Sequence, residues 1–219
     1  GRPSEPSHEN HDQQLFHGQP LFAVRGLVFT GPVFTDAHAQ GPETDMWVFG
    51  YGSLLWNPGF EVREQVVATL PGWHRSFCMR SIHYRGTVEN PGLVLALDAL
   101  DGAHCQGLAL SVPDGQHDTT LEYLRERELI SSAYLEKFLH VDLADGRRVE
   151  AVTYVIDPAH DQYCALDTEE QAQIIARAVG GSGPNTDYLH NTATHLNELG
   201  IQDEDLDWLS ERVAELTRM

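Results

Sequence analysis

The chain has 219 residues, a hydrophobic fraction of 41% and a formal net charge of −19 at pH 7. This length is enough for one domain with a full hydrophobic core, and no apolar run approaches the roughly 18 residues of a membrane-spanning helix. The large negative charge argues against nucleic-acid binding, because phosphate backbones select basic surfaces. It still permits a small anionic substrate, since converging backbone N–H groups can bind a carboxylate locally. Composition therefore indicates a globular protein with no membrane and no nucleic-acid partner.

The cysteines indicate the compartment. The chain has three of them, isolated from one another and without a Cys-x-x-Cys motif: Cys78, Cys105 and Cys164. An odd number without such spacing is typical of reduced thiols, so we expect a cytoplasmic protein.

Residues 1–45 differ in amino-acid composition from the rest of the chain. Residues 1–20 are polar, and their histidines do not match the zinc pattern His-Glu-x-x-His, so we expect no metal site there. We predict a disordered tail or an arm over this stretch. Residues 21–34 are apolar but interrupted by glycine and proline, and either an edge strand or a packed segment fits them. The predicted organisation is an N-terminal extension over residues 1–45 and one domain over residues 46–219.

The predicted elements from residue 46 onward are mostly strands, followed by helices. In chain order the strands are Trp47–Tyr51, Gln65–Leu70, Trp73–Arg80, Leu93–Asp98, His104–Ser111, Tyr134–Leu143 and Arg148–Ile156. Pro71-Gly72, Asp101-Gly102 and Asp145-Gly146 predict turns, the last two within hairpins. Helices are predicted over His117–Leu129, Thr168–Val179, Asn185–Leu199 and Glu204–Thr217. This order indicates an α+β domain whose strands could close into a small barrel, which would leave no exposed edge.

The first strand leads into a turn with the sequence Gly50-Tyr51-Gly52-Ser53. Glycines there allow the backbone to come close to a ligand and to take positive φ at little cost. Successive N–H groups in such a turn can converge on an anion. The dinucleotide fingerprint is absent because Leu55 stands where it requires glycine, and the chain has no Gly-Lys-Ser/Thr motif, so we predict no cofactor.

Glu128 is the candidate general base. At 100° per residue it falls between Leu121 and Leu124 on the apolar face of the predicted helix, whereas Glu122 and Glu126 point away from that face. Burial raises the pKa of a carboxyl group, which suits proton transfer near neutral pH. The structural alternative is an ion pair of Glu128 with Arg80, Arg85 or Arg127.

Three blocks of the sequence resemble the ChaC family of γ-glutamylcyclotransferases. They are Phe-Gly-Tyr-Gly-Ser-Leu-Leu-Trp (49–56), Tyr-Leu-Arg-Glu-Arg-Glu (123–128) and Gly-Ser-Gly-Pro-Asn-Thr-Asp-Tyr-Leu (181–189). The resemblance runs from about residue 46 to about residue 206. It implies a small mixed β-barrel of about six or seven strands with surrounding helices, and an enzyme that cleaves glutathione to 5-oxoproline and cysteinyl-glycine without a metal or another cofactor.

The resemblance also implies roles for individual residues. Glu128 is the catalytic general acid/base. The implied substrate-binding residues lie in the turn and in the third block, namely Val48, Phe49, Gly50, Tyr51, Gly52, Ser53, Leu54, Asn185 and Tyr188. From the residues alone, Asn185 fits a helix cap as well as a ligand contact, and Tyr51 and Tyr188 fit the core as well as a site.

Two other function classes stay open at this point. A cyclotransferase that acts on other γ-glutamyl amines or amino acids would keep the same turn and base. A non-catalytic module that binds a small acid would keep the fold, although a buried carboxylate is costly to retain without a use. No obligatory protein partner is predicted.

Overall fold

In a computed structural model, which describes residues 45–218, a closed barrel forms the centre of the domain. Its strands are β1 (Trp47–Gly50), β2 (Glu64–Ser81), β3 (Gly92–Ser111), β4 (Tyr134–Leu143) and β5 (Arg148–Ile156). Around the barrel the order is β1-β3-β2-β4-β5, with a parallel β1–β5 pair and antiparallel pairs elsewhere. The α+β class and the mixed barrel are therefore confirmed. Apart from Asp45, the predicted N-terminal extension lies outside the described residues.

The barrel has five strands instead of six or seven, because four predicted strands merge into two. Pro71-Gly72 and Asp101-Gly102 do not reverse the chain, so the hairpin predicted at Asp101-Gly102 is wrong. Both dipeptides lie within the long β2–β3 ladder, where the register shifts between Pro71 and Trp73. Gly72 and Gly102 each have φ of 79° at this irregularity. Gly72 lies opposite four residues of β3 (100–103), so the pairing is interrupted here while both strands continue.

The hairpin predicted at Asp145-Gly146 is confirmed. β4 and β5 have the predicted bounds and pair in register from Tyr134↔Ile156 to Asp142↔Arg148. Gly146 has φ of 91°, the left-handed conformation that glycine adopts without strain. This turn fixes which residues of the two strands lie side by side.

Four helices surround the barrel in the described part of the chain: α1 (His117–Glu128), α2 (Thr168–Ile175), α3 (Asn185–Glu198) and α4 (Glu204–Arg218). α2 begins with a capping box formed by Asp167 and Glu170. It ends earlier than predicted, because β6 (Val179–Gly180) pairs with β7 (Gly183–Pro184) before α3 starts. No helix among these is long and apolar enough to cross a membrane.

The helices pack their apolar sides on the barrel and on one another. α2 contacts both α3 and α4, and α2 and α3 both contact β3. The largest fully buried side chains include Phe49 of β1, Phe77 of β2, Leu124 of α1, Leu189 of α3 and Leu209 of α4. This continuous core holds the end of β1 against α1 and α3, which is where the predicted site residues meet.

Candidate active site

A cleft opens where the end of β1 meets α1 and α3. With its open mouth it contains about 350 Å³ of empty space. The lining comes from β1 and the turn after it, from β3, β4 and β5, and from α1 and α3. It consists of Phe49, Tyr51, Gly52, Ser53, Leu54, Leu95, Glu128, Tyr134, Tyr154 and Tyr188. Seven of the ten predicted site residues are therefore brought together.

The turn after β1 supplies free backbone donors. A short 3-10 helix (Ser53–Leu55) follows Gly52, and the N–H of Leu55 donates to the carbonyl of Gly52 at 2.9 Å. The four preceding N–H groups, those of Tyr51, Gly52, Ser53 and Leu54, donate no hydrogen bond to any residue within 45–218. Buried N–H groups are rarely left without a partner. Because these four N–H groups follow one another in a turn that lines the cleft, they are available as donors to an anion.

Neither Gly50 nor Gly52 adopts the positive φ that the turn could have required. Both glycines instead leave space that a side chain would fill. A Cβ at Gly50 would lie 2.9 Å from the Cβ of Leu54, so Gly50 lets the short helix fold back on β1. A Cβ at Gly52 would lie 3.3 Å from the hydroxyl oxygen of Tyr188. Gly52 therefore leaves room for that hydroxyl beside the turn.

Glu128 is the last residue of α1, and its carboxyl group reaches the cleft. Its side chain is 18% exposed, whereas Glu122 and Glu126 are exposed to solvent, as the helical spacing predicts. Burial raises the pKa of Glu128, and the positive charge of Arg127 opposes that shift without cancelling it. The result is a carboxyl group that is partly removed from water and still accessible from the cleft.

Of the three arginines considered as partners for Glu128, Arg127 is the one in contact. Its Nε lies 3.1 Å from one carboxylate oxygen of Glu128. Arg85 instead donates to the carbonyls of Ser182 at 2.7 Å and Pro184 at 3.1 Å. A single arginine on one carboxylate oxygen leaves the other oxygen available to a substrate.

Tyrosines that sequence reasoning did not assign form much of the wall around Glu128. Tyr134 and Tyr154 come from β4 and β5, and the hydroxyl of Tyr134 donates to the carbonyl of Leu95 at 2.9 Å. Tyr51 donates to the carbonyl of Tyr154 at 2.8 Å. The register of the β4–β5 hairpin would have placed Tyr134 and Tyr154 diagonally on one face, but not at the end of the barrel that holds the turn.

Burial raises the pKa values of all four tyrosines in this wall, that of Tyr188 to about 12. The wall is consequently uncharged at neutral pH. Tyr188 also packs edge-on against Phe77, with ring centroids 6.0 Å apart, and lies under the guanidinium of Arg85 at 5.6 Å.

Three predicted substrate-binding residues do not line the cleft. Asn185 is fully buried, and its side-chain amide accepts from the N–H of Leu93 at 2.6 Å and donates to the carbonyl of Leu93 at 2.8 Å. It is a brace between α3 and β3, with its hydrogen bonds already made. Val48 is fully buried and pairs with Leu110 in β3, and Gly50 pairs with Leu108.

A larger cavity lies elsewhere, between β2, α2 and α4, and contains about 760 Å³ of empty space by the same measure. It touches neither Glu128 nor the turn, and its lining includes His74, Arg75, Cys78 and Cys164. The candidate base and the turn therefore both lie in the smaller cleft. Within residues 45–218 no three histidines, cysteines or carboxylates are grouped so that they could hold a metal ion.

Solved structures similar to this one define the class of fold. Two crystal structures of a γ-glutamyl cyclotransferase from yeast, specific to glutathione, superpose with TM-scores of 0.71 and 0.70 at 23% identity. The first covers 78% of this chain and 96% of its own. A further γ-glutamyl cyclotransferase superposes with a TM-score of 0.50 at 15% identity over 80% of this chain and 99% of its own. The fold is that of the γ-glutamylcyclotransferases.

Sequence similarity then defines the family. The family described as ChaC-like protein matches residues 46–216. A glutathione-specific γ-glutamylcyclotransferase of Escherichia coli (strain K12) is 42% identical over 179 residues, covering 81% of this chain and 75% of its own. γ-Glutamylcyclotransferase 2-3 of Arabidopsis thaliana is 32% identical over 178 residues, with coverages of 78% and 89%. The chain belongs to the ChaC family.

Proposed function

We propose that this protein is a glutathione-specific γ-glutamylcyclotransferase that converts glutathione to 5-oxoproline and cysteinyl-glycine. One arrangement carries the proposal: the accessible carboxyl group of Glu128 shares a cleft with four backbone N–H groups, of Tyr51 to Leu54, that have no described partner. Relatives that carry this activity in their names, from Escherichia coli and from Homo sapiens at 33% identity, support it.

The reaction requires little from the protein beyond a pose and a proton carrier. In a γ-glutamyl amide, the α-amine can fold back and attack the side-chain carbonyl, which closes a five-membered lactam. The nitrogen of cysteinyl-glycine leaves with a proton. Because both reacting groups belong to one molecule, holding the folded pose gives a high effective concentration.

Glu128 is assigned the proton transfers. Its carboxylate takes the proton that the amine loses on attack and gives it to the departing nitrogen. A raised pKa favours this double duty, because it makes the carboxylate a stronger base and lets the protonated form exist nearer to neutral pH. The uncharged tyrosine wall leaves Glu128 as the titrating group of the cleft.

The turn is assigned the anionic parts of the substrate. The N–H groups of Tyr51 to Leu54 would hold the glutamyl α-carboxylate or stabilise the oxyanion that develops on the attacked carbonyl. Both functions need donors that are fixed before the substrate arrives. The short helix provides that rigidity, because its own first hydrogen bond, from Leu55 to Gly52, is already formed.

Domain limits and compartment remain predictions. We assign residues 46–219 to the catalytic domain and residues 1–45 to an extension of unassigned role. Cys78, Cys105 and Cys164 are buried and unpaired, which supports the expected reducing cytoplasmic compartment.

The test is incubation with glutathione, followed by mass spectrometry of the products. We expect 5-oxoproline and cysteinyl-glycine in equal amounts. Glutathione that stays intact while it binds would support the non-catalytic module. γ-Glutamyl-alanine at equal concentration tests substrate class: turnover equal to or faster than that of glutathione would place the protein among cyclotransferases of broader specificity.

A further inference from the structure

Arg127 connects the candidate base to the turn that faces it. Its Nη2 donates to the hydroxyl oxygen of Ser53 at 2.8 Å, and its Nη1 donates to the carbonyl of Asn57 at 2.7 Å. Its Nε lies 3.1 Å from Glu128. The half-buried guanidinium of Arg127 therefore contacts Ser53 of the short helix, Asn57 of the chain that follows it, and the carboxylate of Glu128.

Arginine suits this arrangement better than any other side chain. Its planar guanidinium presents five donors in a fixed fork, so the positions of its three partners are set relative to one another. A lysine would keep the positive charge but could not direct separate donors at all three. The hydroxyl of Tyr123 lies 3.2 Å from Nη1 and holds the fork from the preceding turn of α1.

Arg127 is also the charged group that Glu128 faces among the described residues. From the elements packed around Glu128, the titratable groups are Tyr51 after β1, Tyr134 of β4, Tyr154 of β5 and Tyr188 of α3. All four are uncharged at neutral pH, as described above. Among the described residues, Arg127 is therefore the cation that opposes the effect of burial on the pKa of Glu128.

We propose that Arg127 is a positioning residue that holds the anion-binding turn in register with Glu128 and keeps the Glu128 carboxylate ionised enough to act as a base. The assignment rests on the proposed function of Glu128. Arg127 then has two effects, on the position of the turn and on the charge beside Glu128. One substitution can remove the first effect alone, and another can remove both.

The test compares Arg127→Lys with Arg127→Met, using glutathione turnover across pH. With lysine the charge remains and the fork is lost. We expect a KM about tenfold higher, which corresponds to about one lost charge-assisted hydrogen bond, and an acidic limb of kcat/KM at the wild-type pH. With methionine the charge is lost too, so we expect the higher KM together with an acidic limb at higher pH.

Arg125→Met is the matched control. It removes the same charge from the same helix, but Arg125 is exposed and bound to Glu136 through two hydrogen bonds of 2.8 and 2.7 Å. We expect its KM and its acidic limb to stay at wild-type values.

A second measurement does not depend on turnover. Carbon-13 labelling of glutamate side chains allows the Glu128 carboxyl to be titrated by NMR, with Glu128→Gln used to identify its signal. Arg127→Met should raise the pKa of Glu128, and Arg127→Lys should not. A failure of the proposed function then appears as absent turnover with the titration shift intact, whereas a failure of this inference appears as no shift.

Other outcomes are also decisive. An unmoved limb in Arg127→Met, or a wild-type KM in both variants, overturns the assignment, even if thermal stability falls. If Arg127→Met does not fold, Arg127→Lys decides alone: a raised KM with a wild-type limb supports the proposal, and a wild-type KM overturns it.

Discussion

Replacing Glu128 by glutamine should remove catalysis and leave the fold at least as stable. The amide has the shape of the carboxyl group but cannot accept the proton. Loss of a general base costs about a hundred- to ten-thousand-fold in rate, or about 3–5 kcal/mol of activation free energy at 1.36 kcal/mol for each factor of ten. The assay is the initial rate of 5-oxoproline release from glutathione, with the exposed Glu126→Gln as the matched control, for which we expect a near wild-type rate.

The effect on stability follows from the direction of the pKa shift. Burial raises the pKa of Glu128 in the folded state, so the folded protein binds the extra proton more readily than the unfolded chain. Protonation of Glu128 therefore contributes favourably to the free energy of unfolding. This contribution is fully present below the pKa of Glu128 in the unfolded chain and is lost as pH rises through its pKa in the folded protein. Glutamine has no such loss. The melting temperature of Glu128→Gln should match wild type near pH 4 and equal or exceed it near pH 8.

Two results would refute this reasoning. A variant that releases 5-oxoproline at the wild-type rate would remove Glu128 from the chemistry. A variant that melts well below wild type at pH 8 but not at pH 4 would show that Glu128 stabilises the fold as an ionised partner of Arg127, which is the structural alternative.

Three further predictions concern the turn, the brace and the wall. Gly52→Ala places a methyl group 3.3 Å from the Tyr188 hydroxyl oxygen, so we expect a raised KM with a small change in melting temperature, and Gly52→Val should raise KM further; an unchanged KM in both would argue against substrate binding at the turn. Asn185→Ala leaves the N–H and carbonyl of Leu93 buried without partners, at about 1–3 kcal/mol each, so the free energy of unfolding should fall while kcat of the folded protein stays near wild type; a selective loss of kcat at unchanged stability would return Asn185 to the site. Tyr134→Phe removes the hydroxyl that donates to Leu95 at 2.9 Å but no charge, so the acidic limb of kcat/KM should not move, and a shifted limb would mean that the wall titrates with Glu128.

The features that local sequence determines were predicted well. The exposure of Glu122 and Glu126 and the partial burial of Glu128 follow from the helical period alone. The β4–β5 hairpin follows from Asp145-Gly146 between two alternating strands, and its strand bounds are as predicted. Each of these depends on residues within about a dozen positions of one another.

The features that depend on pairing between distant parts of the chain do not follow from local sequence. A Pro-Gly or Asp-Gly dipeptide fits an irregularity within a ladder as well as it fits a turn, and only the partner strand decides between them at Gly72 and Gly102. The tyrosine wall exists because β1 and β5 pair in parallel, joining Trp47 to Ala151 and closing the barrel. Asn185 braces Leu93, a residue 92 positions away, and such a brace has the same local signature as a helix cap or a ligand contact.

Turnover of glutathione in water enriched in oxygen-18 tests the central claim most directly. If the substrate's own amine is the nucleophile, 5-oxoproline and cysteinyl-glycine appear in equal amounts and the 5-oxoproline carries no label, because no water oxygen enters the bond that is broken. Glutamate that carries oxygen-18 in its side-chain carboxyl would show that water is the nucleophile. That result would contradict the assignment of this cleft to cyclotransfer.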